Sequence, residues 1–211
     1  MAYLCIRNSL RIEGADFSED EATNRMIQDP DLFSVVLYPG PGATNLSMVP
    51  ASQRAAFVPT GRELNVFVLD GTWKTAGKMI RLSRNLQVLP LVCFVPPTPS
   101  AFRIRRQPHP DCYSTIEAIH HVIDLFAPTE NENPAKPRPH DNLLAVFGTA
   151  VSRQLYYHGP FVSLEECPLH RALGSGVAYL SKYLYIVMRG YLKWILCVLS
   201  RPWPTRSGFA C

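Results

Sequence analysis

Residues 64–79 read Leu-Asn-Val-Phe-Val-Leu-Asp-Gly-Thr-Trp-Lys-Thr-Ala-Gly-Lys-Met, and their pattern changes halfway along. The first six residues are apolar except Asn65 and are rich in branched and aromatic types, which is typical of a buried strand. From Trp73 onward, apolar and small residues recur at i+3, i+4 and i+7, which predicts one face of a helix. Asp70 lies between the two patterns and is predicted to be the N-cap of that helix. In an open α/β sheet this is where ligands bind, so Asp70 is a candidate site residue.

Two further apolar runs are predicted to be buried strands. Residues 34–38 lead into the loop 39–45, and residues 89–95 lead into the loop 96–100. Helical patterns separate the three strands, so we expect parallel pairing through right-handed crossovers. Because the carboxyl ends of parallel strands share one edge of a sheet, the loops that follow them are predicted to form the site together with Asp70.

Capping signals predict where the helices begin. Ser18 and Ser114 each stand three residues before a glutamate, which is the capping-box spacing, so a helix is predicted after each of them. Residues 143–157 are predicted to form another helix, and residues 9–14 a short strand. The expected fold class is therefore α/β, a mostly parallel sheet with flanking helices.

The composition of the chain is that of an ordinary folded domain. Its 211 residues suit one domain, and a hydrophobic fraction of 47% permits a sizeable core. The net charge of +4 permits an RNA partner without requiring one. The six cysteines include no Cys-x-x-Cys pair, and the adjacent His120 and His121 cannot share a helical face, so no zinc site is expected. The first residues do not resemble a signal peptide, and we expect a cytoplasmic protein.

The sequence Asp70-Gly-Thr-Trp73 resembles the Asp-x-Thr-Trp signature of the DTW-domain family, the tRNA-uridine aminocarboxypropyltransferases. The resemblance continues in order through residues 37–40, 102–105 and 114–118 and covers roughly residues 8–158. It implies a relationship to the knotted, SPOUT-like α/β fold, which binds S-adenosylmethionine in loops at one sheet edge. Members of the family transfer the 3-amino-3-carboxypropyl group of S-adenosylmethionine to N3 of a tRNA uridine and release methylthioadenosine.

Carried over residue by residue, the resemblance implies three groups of site residues. The implied catalytic group is Asp70, Thr72 and Trp73. The implied contacts to S-adenosylmethionine are made by Tyr38, Pro39, Gly40, Leu69, Gly71, Pro97, Ser114, Thr115 and Glu117. The implied contacts to tRNA are made by Lys74, Arg103, Arg105 and Arg106.

The residues themselves leave several roles open. Asp70 either accepts the proton of the uracil N3–H or orients the base, because a carboxylate is a weak base for so weak an acid. Trp73 either stacks on a base or is the first large core residue of its helix. Arg103 and Arg105 either bind a carboxylate or phosphate, or form a solvated surface pair. For Ser114 the structural role of N-cap is favoured.

Two departures from the family pattern qualify the resemblance. Family members usually begin with a cysteine-rich zinc-binding segment and a first strand, for which we find no counterpart ahead of Asn8. The alternatives to the transferase are therefore an inactive RNA-binding or interaction paralogue and a SPOUT-type RNA methyltransferase. We expect a DTW domain over residues 1–158, with no metal, and a divergent tail over residues 159–211.

The tail contains an apolar run at residues 176–200 that is interrupted by Lys182, Arg189 and Lys193. These cations would form one stripe on a helix, and each would cost about 2.5–3.5 kcal/mol near a bilayer centre, which disfavours a spanning helix. A helix packed on the sheet is the preferred interpretation. A helix lying in a membrane interface is the alternative.

Overall fold

The structure is a computed structural model that describes residues 5–6, 8–102, 104, 109, 112–126, 138–158 and 195–200. The strands are β1 (Ser9–Glu13), β2 (Leu32–Leu37), β3 (Thr44–Asn45), β4 (Glu63–Asp70), β5 (Leu91–Cys93) and β6 (Ile195–Ser200). The helices are α1 (Glu21–Gln28), α2 (Ala51–Arg54), α3 (Trp73–Leu82), α4 (Arg84–Gln87), α5 (Thr115–Phe126) and α6 (Asn142–His158). Short 3-10 turns occupy Leu46–Met48, Ala55–Phe57 and Pro139–Asp141.

The described strands form one sheet in the order β1-β6-β4-β2-β5-β3. The four strands β4, β2, β5 and β3 are parallel, whereas β6 is antiparallel to both β4 and β1. Helices lie between β3 and β4 and between β4 and β5, whereas β2 leads into β3 without a helix. The predicted α/β class with a mostly parallel sheet is confirmed.

The sheet is covered on both faces, which explains why β4 reads as a continuous apolar run. Val66 and Val68 belong to one buried cluster, together with the apolar side of α5. Phe67 and Leu69 belong to a second cluster with residues of α3 and α4. Successive side chains of a strand point to opposite faces, so the two clusters lie on opposite sides of the sheet.

The two predicted capping boxes have different outcomes. At α5 the box is present, because Ser114 Oγ accepts from the Glu117 N–H at 3.4 Å and the Glu117 carboxylate accepts from the Ser114 N–H at 2.8 Å. At α1 the prediction of Ser18 as N-cap is wrong. The cap is Asp20, whose carboxylate accepts from the Thr23 N–H at 2.7 Å. The Ser18 hydroxyl instead accepts from the Arg84 N–H at 3.0 Å, so it ties two distant segments together.

The tail supplies a strand of the sheet. Ile195–Ser200 lies between β1 and β4, so the predicted helix is wrong for these six residues. A short run of Ile, Leu, Cys and Val that is flanked by strands on both sides suits an interior strand. The sequence did not show this, because six residues are too few to distinguish a period of 2 from one of 3.6. The cations Lys182, Arg189 and Lys193 lie outside the described residues. Among the residues that are described, no helix is long and apolar enough to cross a membrane.

Candidate functional site

The strands β2, β4 and β5 end at the same edge of the sheet. Leu37 pairs with Val68 on one side and with Val92 on the other, so the three strands stop within about two residues of each other. The loops that follow them therefore start side by side, as the sequence predicted. That a ligand binds at this edge stays a prediction.

Asp70 is the last residue of β4, and it is not the N-cap of α3. Its backbone still pairs with Ile195 of β6, and α3 begins three residues later, at Trp73. The N-cap is Thr72, whose Oγ1 accepts from the Thr75 N–H at 3.1 Å. The predicted cap at Asp70 is wrong because the strand extends one residue beyond the apolar run and includes Asp70 itself. As a result, the Asp70 carboxylate is not used to begin the helix.

The Asp70 carboxylate is held instead by a residue far away in sequence. Its Oδ1 accepts a hydrogen bond from Thr115 Oγ1 at 2.7 Å. Thr115 is the first residue of α5, and that helix packs on the sheet through its apolar side. The bond joins two of the implied site residues, Asp70 and Thr115, which are 45 positions apart.

The turn between β4 and α3 is tight. A Cβ added to Gly71 would lie 3.2 Å from the Thr75 Cβ, which is closer than most side chains tolerate. The Thr72 and Thr75 hydroxyl oxygens lie 2.7 Å apart and share a hydrogen bond. Small and capping residues therefore fix the distance from Asp70 to the first residue of α3.

Trp73 lies at the surface, with 42% of its area exposed. The interpretation of Trp73 as a core residue is therefore wrong. The buried residues of α3 are Ala76 and Met79, and Ile80 packs against the same cluster. Ala76 and Ile80 belong to the predicted face, whereas Trp73, the first residue of that face, is not buried and Met79 takes part in its place. The structure thus leaves an indole ring accessible three residues after Asp70.

The exposed face of α3 is basic. Lys74, Lys78 and Arg81 follow one another at i, i+4 and i+7 and are all exposed, and the helix contains no acidic residue. Sequence reasoning named Lys74 alone, although the spacing of the other two was visible. Arg103, Arg105 and Arg106 lie outside the described residues.

Glu117 organises the loop next to Thr115. The residue is only 6% exposed, and its carboxylate accepts from Ser100 Oγ at 2.7 Å, from the Ala101 N–H at 2.7 Å and from the Ser114 N–H at 2.8 Å. Both carboxylate oxygens take part in these bonds. Glu117 and Ser114 therefore hold the start of α5 and the loop after β5 together.

The remaining implied ligand residues lie at the same edge with different accessibility. The Tyr38 N–H donates to the Val92 carbonyl at 3.0 Å, and its ring reaches α3, where the hydroxyl would lie 3.3 Å from a Cβ on Gly77. Leu69 is 8% exposed, so its main chain is the part that a ligand can reach. Pro97 is exposed in the loop after β5. Pro39 and Gly40 follow Tyr38 just after the end of β2, where the Ala43 N–H donates to the Gly40 carbonyl at 3.0 Å and closes a turn.

Cys93, at the end of β5, does not add a nucleophile to the edge. Burial raises the pKa of its thiol, so the sulfur stays protonated at neutral pH.

The fold and this edge define an α/β protein whose candidate site lies at the carboxyl ends of parallel strands, with a carboxylate, a threonine and an exposed indole in it. The chain belongs to the DTW domain family, whose model matches residues 1–155. This membership is consistent with a tRNA-modifying transferase. No solved structure matches the chain.

Proposed function

We propose that the protein transfers the 3-amino-3-carboxypropyl group of S-adenosylmethionine to N3 of a uridine in tRNA. The observation that carries the proposal is the position of Asp70 in a member of the DTW family. Its carboxylate stands at the end of β4, is bonded by Thr115 and is followed by the exposed Trp73.

The groups at the edge are of the kind that S-adenosylmethionine requires. The exposed indole of Trp73 offers a face for a purine. The turn after β2 opens to solvent, since a Cβ on Gly42 would meet nothing within 4 Å. The residues that would hold the molecule are those around Gly40, the main chain at Leu69 and Gly71, and the loop at Pro97. When bound, it supplies a carbon activated by the neighbouring sulfonium, and the sulfur leaves with the electron pair of the broken C–S bond.

We assign to Asp70 the role of accepting the proton of the uracil N3–H. When the new N–C bond forms, N3 gives up its proton, so the proton needs an acceptor in line with the reacting atoms. Thr115 occupies Oδ1, which leaves Oδ2 as the oxygen through which the carboxylate meets the base. The hydrogen bond from Thr115 fixes the carboxylate plane and so helps to align the nucleophile.

We assign to the exposed face of α3 the role of binding the tRNA backbone. Its cations Lys74, Lys78 and Arg81 form a stripe that starts beside Trp73 and leads away from the sheet edge. Lysine and arginine bind phosphates without reading sequence, and an aromatic ring can stack on an unpaired base. A uridine at the edge would therefore have its neighbouring phosphates within reach of this stripe.

The test is mass spectrometry of tRNA nucleosides after the pure protein has been incubated with unmodified tRNA and S-adenosylmethionine. The proposal expects a uridine that has gained the aminocarboxypropyl group, together with equimolar methylthioadenosine. A methylated nucleoside would identify a methyltransferase instead. An unmodified nucleoside from a protein that still binds tRNA would identify an RNA-binding module.

A further inference from the structure

A second cluster of ionisable side chains lies between α5 and the 3-10 turn that precedes α6. His120 Nε2 lies 2.8 Å from Asp141 Oδ1, and His140 Nε2 lies 2.6 Å from Asp124 Oδ1. The other ring nitrogen of His120, Nδ1, lies 3.4 Å from Asp124 Oδ2. Two imidazoles and two carboxylates from two segments of the chain thus meet in one place.

The carboxylates of the cluster face one guanidinium and two imidazoles. Both ring nitrogens of His120 face carboxylate oxygens, and a neutral imidazole carries only one N–H, so one nitrogen would place its lone pair against a carboxylate. With both imidazoles neutral, the two carboxylates outweigh the one guanidinium by a full negative charge, which a bound cation would balance.

Both carboxylates of the cluster also accept hydrogen bonds from Arg138. The guanidinium donates to Asp141 Oδ1 at 2.9 Å and also to Asp124.

We propose that His120, His140 and Asp141 bind one divalent cation of the zinc class. Ligand atoms of these three residues lie within 4.8 Å of one another. Because zinc is bound by imidazole nitrogen and carboxylate oxygen at about 2.0–2.2 Å, shifts of about an ångström bring these atoms onto a common ion. Two imidazoles favour zinc, cobalt or nickel over magnesium or calcium, which prefer oxygen alone.

The ion would act as a clip between two helices. It would join α5, which presents Thr115 to Asp70, to the turn Pro139–Asp141 that begins α6. Arg138 would remain as an outer hydrogen-bond donor to the ligating carboxylate of Asp141, a role that such donors have in many metal sites. This inference concerns a separate set of residues and does not depend on the proposed transfer reaction.

The experiment is a titration of the full-length, chelator-treated protein with Co²⁺, followed by displacement with Zn²⁺. We expect one equivalent of Co²⁺ to give d–d absorption bands without the near-ultraviolet band of a cobalt–thiolate bond, since no cysteine belongs to the cluster. Zn²⁺ should abolish the bands and raise the melting temperature, because a ligand of the native state stabilises it.

Variants then assign the ligands. His140→Asn and Asp141→Asn should each lose the cobalt bands, whereas His109→Asn, which changes an exposed histidine outside the cluster, should keep them.

Three results would overturn the inference: no stoichiometric Co²⁺ binding by the unchanged protein, a thiolate band, or bands that survive His140→Asn. The first two are read from the unchanged protein, so a variant that fails to fold does not affect them. In each of these cases the cluster is an ion-pair network only. None of them bears on the nucleoside assay that tests the transfer reaction.

Discussion

At the scale of single residues, substitutions of Asp70 affect stability and transfer activity differently. Because Thr72 caps α3, Asp70→Asn removes no cap, and the asparagine Oδ1 can still accept from Thr115 Oγ1. We expect the free energy of unfolding to change by less than about 1 kcal/mol. Transfer activity should nevertheless be mostly lost, because the carboxamide presents N–H donors where the proposal needs an acceptor for N3–H.

Thermal melts and single-turnover transfer assays on the same preparations measure the two effects of Asp70→Asn. A folded variant with near-normal turnover would remove Asp70 from the chemistry. Asp70→Ala is the companion variant, because it loses the acceptor for Thr115 as well and should therefore lose both stability and activity.

Thr115 provides a second test at the same scale. Thr115→Val keeps the shape but removes the hydroxyl that donates to Asp70 at 2.7 Å, whereas Thr115→Ser keeps the hydroxyl. We expect the valine variant to lose about 1 kcal/mol of stability and a large part of kcat, and the serine variant to retain most of both. The measurements are denaturant unfolding and steady-state kinetics. Equal activity of the two variants would show that the hydroxyl does not position the carboxylate.

The sequence and the family resemblance named Asp70 and Thr115 as candidate site residues but did not show how the two are related. The exact end of β4 decides which residue caps α3, and element ends are poorly visible in a single sequence. The hydrogen bond between Asp70 and Thr115 joins residues 45 positions apart, and such a bond depends on how α5 packs on the sheet. The family signature could therefore be read in advance, whereas the geometry could not.

At the scale of elements, Glu117 connects α5 with the loop after β5. Glu117→Gln replaces an oxygen that accepts hydrogen bonds by an amide nitrogen, which leaves a partly buried donor such as the Ala101 N–H without its acceptor. The expected cost is about 1–3 kcal/mol of unfolding free energy by denaturant titration. Glu19→Gln changes an exposed glutamate in the same way and should stay within about 0.5 kcal/mol. Equal losses of unfolding free energy in the two variants would contradict the role of Glu117 in holding α5 to the loop after β5.

The basic stripe of α3 makes a prediction about salt. Replacing Lys74, Lys78 and Arg81 by alanine should weaken tRNA binding and flatten the plot of log affinity against log salt by about 0.7–0.9 for each phosphate that the protein no longer neutralises. Arg62→Ala is the matched control, because Arg62 is exposed and precedes β4 at the opposite edge of the sheet. Fluorescence anisotropy with tRNA at several salt concentrations gives both slopes. A slope that the triple variant leaves unchanged would show that the stripe does not bind phosphates.

The helix α3 also shows that the apolar period of a short segment predicts its buried face poorly. The predicted face contains Trp73, Ala76, Gly77 and Ile80, but the structure buries Ala76 and Met79 with Ile80 and leaves Trp73 exposed. Ten residues make fewer than three turns, so a rotation of the buried face by one position changes the fit very little. Packing against Phe67 and Leu69 of β4 selects one rotation, and sequence alone does not.

At the scale of the whole molecule, the sequence predicted the strand pairings that depend on local connections and did not predict those that join distant segments. The alternation of strands and helices between β2 and β5 predicted the parallel core, because each crossover is local. The insertion of β6 between β1 and β4 was not predicted. It pairs residues from opposite ends of the chain, and this strand lies beyond the family match at residues 1–155.

The interior position of β6 can be tested with one residue. Val198 is opposite Leu10 of β1 and Phe67 of β4, so it lies between two strands. Val198→Pro removes a backbone N–H and introduces a ring into a position where proline is essentially confined to edge strands. Val198→Ala keeps the N–H. The difference between the two variants therefore isolates the backbone contribution from that of the side chain.

We expect Val198→Pro to be less stable than Val198→Ala by at least about 1–3 kcal/mol in denaturant unfolding, the cost of leaving a buried carbonyl without its donor. Because β6 is the strand that joins β1 to the described sheet, hydrogen exchange should also accelerate in β1 in the proline variant, while β2 and β5 keep their protection. Equal stability of the two variants, with β1 still protected, would mean that β6 is not an interior strand.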